Sequence, residues 1–359
     1  MDLLLGGLLL LLQLPPWATA LECESDAARP IALPLRDVLV DSGISDSYMR
    51  GIPAKVGTPP QDIVMLPWAE LNNTWIYDGQ HSCSAELNLT DTTCRVRRGS
   101  YFRPGDSQTF LKMADIVAAG GAAKEITTKG TELDVGSLVS TSLGGSDLLT
   151  VGDGDGGPAA VDIMPIGMPR LNWDHGYTTL HTLGLGSNST FLINLVKAGK
   201  IPSRVWSLFW GRVGGPNTMD GSVILGGYDR EKVTGRNYTQ RLDYSDASGC
   251  WTGMKITVSA IEANFWNGAN ENVLDGPLSV CIVPQRQHLL EAPSPVLDKF
   301  NTVTSMRSNE TDEGLQWFDQ ILSSGFPTYV CISLLRVHSL LSPHVSHTDF
   351  RNRRHRGVV

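Results

Sequence analysis

The sequence predicts an all-β fold, and three observations carry that expectation. The composition is rich in turn formers, with 37 Gly and 20 Pro in 359 residues and few long helical periodicities. The stretch from Val56 to Tyr77 reads as strand, tight turn, strand, turn, strand. Later segments repeat the pattern: Trp251 to Ile261 alternates Met254, Ile256 and Val258, as a half-buried strand does. The chain is long enough for two lobes with a core each. Its 41% hydrophobic and 18% charged residues suit a folded chain rather than a disordered one.

In chain order, Ile31 to Leu35 and Val38 to Val40 are short strand candidates, and Tyr48 to Val56 alternates into a turn at Gly57. Pro59 and Pro60 fix φ and fit that turn. Ile63 to Leu66 is an unbroken apolar run, as in a strand buried on both faces. Thr74 to Tyr77 is rich in β-formers and resumes the sheet. Val151-Gly-Asp-Gly-Asp-Gly-Gly157 has neither the later Glu of a calcium loop nor the Gly-Lys-Ser/Thr of a phosphate loop, and reads as a solvated turn. Phe191 to Gly199 has helical spacing and a glycine C-cap. Gly226 and Gly227 suit a turn with positive φ. Gly314 to Leu322 reads as a short helix.

Met1 to Ala20 has the shape of a secretory signal: an apolar run over Leu3 to Leu12, Pro15-Pro16, then Ala18-Thr-Ala20. That run is too short to span a bilayer. Asn72, Asn88, Asn188, Asn237 and Asn309 each sit in Asn-x-Ser/Thr, so the chain is expected to be a secreted glycoprotein, extracellular or in the cell wall. None of the six cysteines forms a zinc-type cluster, so disulfides are the better reading in an oxidising compartment. Cys83 and Cys94 would close a short surface loop. A formal charge of −8 leaves no footprint for nucleic acid. No cofactor or metal is expected, nor a membrane span, and the chain is read as a monomer.

Several segments together resemble one family. They are the turn Gly57-Thr-Pro-Pro-Gln61 before an apolar strand, Trp75 shortly after it, and Tyr101 to Phe110 with its Ser-x-Thr-Phe. Leu183-Gly-Leu-Gly186, Lys200 to Trp210 and the hairpin Gly221 to Gly235 follow. This order is similar to that of the pepsin-like aspartic proteases, over Tyr48 to Pro293. The resemblance implies a bilobal acid-protease fold with an N-terminal lobe over 21–204 and an incomplete C-terminal lobe over 205–332. Residues 1–20 would be the signal and 333–359 an atypical basic tail that lacks the closing strands. It also implies a Cys281–Cys331 disulfide, with Cys23 and Cys250 unassigned. Trp206 and Trp210 are read as core residues.

The resemblance implies a catalytic Asp-Thr-Gly after each apolar strand. Trp68-Ala69-Glu70 stands at the first place and Pro284-Gln285-Arg286 at the second. Aspartic proteolysis needs two carboxylates about 3 Å apart that share a proton, one acting as base and the other as acid. An indole cannot take that proton, and a proline has no polar side-chain atom. No Tyr lies between Tyr101 and Tyr177, so a Tyr-bearing flap is missing as well. Glu70 and Arg286 remain as cleft candidates without a dyad, and Asp62 is expected to point elsewhere. The expected function is that of an inactive pseudo-protease that binds a peptide or protein ligand in the cleft, or inhibits another enzyme. Plant xylanase inhibitors of this fold offer an analogy. Two rival readings stand beside it: an endopeptidase of the same family with displaced acids, and a truncated gene product.

Overall fold

The computed structural model describes residues 28–334, apart from 46, 81–82, 84–88, 126–134, 155–156, 171–179, 213–217, 234, 236–238, 246, 251, 266–267, 285–291, 305–306, 311–315 and 321–326. The expected signal at 1–20, Asn88, Asn237, Arg286 and nearly all of the basic tail lie outside the described residues. In order, the strands of the first half are β1 (Ile31–Leu39), β2 (Tyr48–Val56), β3 (Gln61–Trp68), β4 (Thr74–Trp75), β5 (Leu111–Met113), β6 (Leu143–Val151), β7 (Ala159–Met168) and β8 (His181–Gly184). Helices α1 (Asp91–Arg97), α2 (Val135–Thr141) and α3 (Thr190–Lys197) lie between or after them. Then come β9 (Trp206–Phe209), β10 (Gly221–Leu225), β11 (Lys255–Phe265), β12 (Asn270–Asn272), β13 (Leu278–Cys281), α4 (Ser294–Thr304), β14 (Arg307–Glu310), β15 (Gln316–Gln320) and β16 (Pro327–Leu334).

The fold is all-β. Ten strands form one sheet in the order β5-β6-β7-β4-β8-β3-β2-β1-β10-β9, and β6 also pairs with β2, which closes a barrel. Most neighbours are antiparallel; β3 and β8 are parallel, with Met65 opposite His181 and Trp68 opposite Gly184. Strand β1 serves two partners: Ile31 to Leu35 pair with β10, and Arg36 to Leu39 pair with β2. Thus β9 and β10 join the first sheet although they follow residue 204. The main core fills the barrel with Ile52, Val56, Ile63, Met65, Phe102, Leu149, Ile166, Leu183 and Phe191, among others, and Trp206 and Trp210 pack against it. A smaller cluster under the Trp68 loop holds Val64, Leu66, Trp68, Leu71, Trp75, Tyr77 and Leu180.

Local chemistry explains the turns. Gly57 takes φ +79, where a side chain would be strained and a Cβ would strike Ser107 Oγ at 2.6 Å. Ser107 and Thr109 donate their hydroxyls to the buried Asp147 at 2.7 and 2.5 Å, and Gln61 exchanges two hydrogen bonds with the Arg103 backbone. The Ser-x-Thr-Phe segment therefore braces the turn that precedes β3. Helix α3 begins at Ser189, whose side chain accepts from Leu192 N–H at 3.1 Å. It ends with Gly199 at φ +65 and Lys200 N–H donating to Leu195 O, a glycine-terminated C-cap. No Tyr-bearing hairpin follows Phe110 among the described residues: β5 is three exposed residues paired to β6.

The second, four-stranded sheet gathers β12, β13 and β16 around β11. Its small core is Val258, Ile261, Val273, Leu274 and Phe300. Two expectations are corrected here. Within the span Gly314 to Leu322, read as a short helix, the described residues Gln316–Gln320 form the strand β15, paired with β14. The cysteine pairs are Cys83–Cys94 and Cys250–Cys281, so the expected Cys281–Cys331 bond is not formed. Register explains the second correction. Cys281 lies opposite Lys255, whereas Cys331 lies opposite Glu262, seven residues further along β11. At ~3.3 Å per residue that offset is about 20 Å, well beyond disulfide reach.

Candidate functional site

The segment expected to hold the first catalytic acid closes β3. Trp68 is fully buried, and its indole Nε1–H donates to Glu70 Oε2 at 3.0 Å. Ala69 and Glu70 are also buried, so the tip of β3 is packed against its own loop. The crossing strand β8 braces it from behind. Leu185 N–H donates to Trp68 O, and Gly186 N–H to Leu71 O, each at 2.8 Å. A Cβ at Gly184 would lie 2.3 Å from Asn73 O, so only glycine allows this approach.

A residue without a sequence-level signal locks the next turn of the loop. Glu125 Oε2 accepts from Asn72 N–H at 2.5 Å, and Oε1 accepts from Asn73 N–H at 3.1 Å and Trp75 Nε1–H at 3.0 Å. Burial pushes the Glu125 carboxyl up to about 7, against these hydrogen bonds, which pull it down. Asn73 adds a reciprocal pair with the Ala122 backbone at 2.9 and 2.7 Å. Residues 121–125 thus form a strap across 72–75. Glu125 sits in an Ala-, Gly- and Thr-rich stretch with no periodicity, and only the fold brings it to the loop.

His181 is the second such residue. It is fully buried on β8, its Nδ1 accepts from Tyr77 N–H at 3.0 Å, and its Nε2–H donates to Ser100 O at 3.1 Å. Burial lowers its pKa to about 3, and the nearby Arg98 guanidinium pushes the same way. Arg98 itself lies over the Tyr77 ring, 4.3 Å from its centroid.

The place expected for the second acid follows β13. Pro284 is half-buried, and its carbonyl accepts from Trp210 Nε1–H. Trp210 also packs against the cluster that contains Trp68. One indole therefore touches the surroundings of both expected acid positions. Arg50 holds the Trp210 segment: its buried guanidinium donates to Trp210 O at 2.7 Å and Met219 O at 3.0 Å. Asp62 points away, 83% exposed, and pairs with Lys55 at 3.0 Å.

Among the sequons, Asn72 is buried, its Nδ2 donates to Lys124 O at 3.0 Å, and its Oδ1 accepts from Asn188 N–H at 2.9 Å, so its carboxamide faces the fold rather than solvent. Asn188 is exposed, and Asn309 lies on β14. Among the described residues no group of His, Cys, Asp and Glu could hold a metal ion, and no helix is long and apolar enough to cross a membrane.

A search of curated proteins finds no match. Residues 163–290, which span β8, the β9–β10 hairpin and Pro284 but begin after the Trp68 loop, match the family model described as eukaryotic aspartyl protease.

Proposed function

We propose that this chain is a secreted, pepsin-like pseudo-protease that binds a peptide or protein ligand between its two halves and does not cut it. The observation that carries the reading is Trp68. An acid–base dyad needs an ionisable oxygen at the end of β3, and a buried indole hydrogen-bonded to Glu70 stands there instead. The resemblance puts Pro284 at the partner position, which supports the same reading. Groups that act as a unit do not compensate for one another, so losing both leaves no proton shuttle. Two disulfides and the apolar leader are compatible with secretion.

The test is an acid-pH digest of a denatured protein substrate by the purified full-length chain, with and without a transition-state mimic of aspartic proteolysis. No mimic-sensitive cleavage is expected. Cleavage that the mimic blocks overturns the proposal.

One feature favours the displaced-acid reading: burial pushes the Glu125 carboxyl up to about 7, into the range of a general base. Both of its oxygens are, however, occupied by donors from the loop. If cleavage occurs and Glu125→Gln abolishes it, that second reading replaces the first.

A further inference from the structure

Asn72 and Asn188 are two sequons tied to each other, and the fold treats them in opposite ways. The carboxamide of Asn72 is buried and consumed at both ends, by Lys124 O and by the N–H of Asn188. Asn188 sits in the exposed turn before α3, and its backbone N–H donates to Asn72. Asn188 lines a pocket of about 510 Å³ between residues 120–124 and one face of α3. It is an open groove rather than an enclosed cavity. The near wall is Gly120 to Ala123, which offers little side chain. The far wall, on α3, is Thr190, Asn194 and Lys197 around Ile193, and Lys124 closes the near side. Such a lining suits a neutral, hydroxyl-rich ring that carries an acetamide: ammonium and carboxamide groups donate to its oxygens, and Ile193 meets the methyl group.

We propose that Asn188 carries an N-linked glycan whose first sugars lie in this pocket, whereas Asn72 carries none. The proposal rests on the secretory reading above, because the donor is a lipid diphosphate oligosaccharide of the secretory pathway. In the transfer, Asn188 Nδ2 forms a bond to C1 of the first N-acetylglucosamine. The C1–O bond to the diphosphate breaks, the lipid diphosphate leaves with that electron pair, and the amide proton passes to a base. A sugar on Asn72 would expel its side chain from the Lys124 and Asn188 bonds and from under the strap that Glu125 fastens. A sugar on Asn188 costs no such bond and covers the outer face of the same strap.

The experiment uses the full-length chain secreted from a eukaryotic host. Glycosidase release in ¹⁸O water, followed by peptide mass spectrometry, marks each occupied asparagine. Asn188 is expected to be marked and Asn72 unmarked. Release from the native chain should be about tenfold slower at Asn188 than from the denatured chain, because the enzyme must wait for local opening. In Asn188→Gln, which keeps the carboxamide, amide exchange across 120–124 and 190–197 should be faster than in the wild type. Marked sequons elsewhere with Asn188 bare would overturn the inference and leave secretion standing. Equal release from native and denatured chains, with unchanged exchange in the variant, would overturn the seating of the sugar. A chain with no sugar that stays inside the cell would overturn the secretory reading itself.

Discussion

The indole Nε1–H of Trp68 donates to Oε2 of the Glu70 carboxylate, two residues on in a buried turn, across 3.0 Å. Removing the carboxylate strands a buried N–H, which costs about 1–3 kcal/mol. Glu70→Ala should therefore lower unfolding stability by that amount in urea titrations. Trp68→Ala should cost more, about 3–5 kcal/mol, because it also opens a cavity in the smaller core. Stability within error of the wild type in both variants would show that the pair does not hold the loop.

Glu125 makes a sharper case, since every group facing its oxygens is a donor. Above pH 7, where the carboxyl is ionised, these donors all have an acceptor, and in Glu125→Gln an amide NH₂ must face an N–H. The strap should loosen, with hydrogen exchange at Asn72 and Asn73 rising and stability falling by about 1.5–3 kcal/mol. An unchanged exchange pattern would count against the strap.

The pH dependence follows from two groups with opposite effects. Folded His181 takes a proton only near 3, against 6.5 for an ordinary imidazole, so the unfolded chain binds more protons and stability falls as pH drops between those values. Folded Glu125 holds its proton up to about 7, against 4.5, so the folded chain binds more protons and stability falls as pH rises through that window. Each slope is about 1.4 kcal/mol per pH unit where only one state is protonated. Between pH 4.5 and 6.5 they oppose each other, and the wild type should be nearly flat there as far as these groups decide. Glu125→Gln should uncover the histidine slope, with stability rising with pH across the same interval. A variant as flat as the wild type would contradict the assignment.

The Cys250–Cys281 bond closes a separation of 31 residues, and its loss should cost about 3–4 kcal/mol. Non-reducing peptide mapping should recover Cys250 linked to Cys281. Recovery of Cys281 linked to Cys331 would reverse the register argument made from β11.

Much of the frame is legible in the sequence because its cues are local. Pro59-Pro60 and the apolar run from Ile63 announce a turn and a buried strand, and Gly199 announces the end of α3. The brace of Gly184 and Gly186 behind Trp68 is also foreseeable, since glycines mark places where backbones meet. What escapes is non-local. Glu125 and His181 carry no pattern of their own, and they matter because distant backbone donors are turned toward them. The Cys281–Cys331 expectation fails for a related reason: spacing along the chain does not reveal register across β11. Asn72 shows the limit of a motif, since Asn-x-Thr says nothing about which side of the surface the amide faces.

The divided pairing of β1 bears on how the protein is made. The first half of that strand, near the start of the chain, finds its neighbour only when Gly221 to Leu225 have left the ribosome. Until then Ile31 to Leu35 present an unpaired backbone and apolar side chains to the cytosolic or lumenal milieu, a long-range closure that slows folding and invites capture by chaperones. A translational pause before residue 225 would prolong that vulnerable interval, whereas the barrel strands β2 to β8 could already assemble.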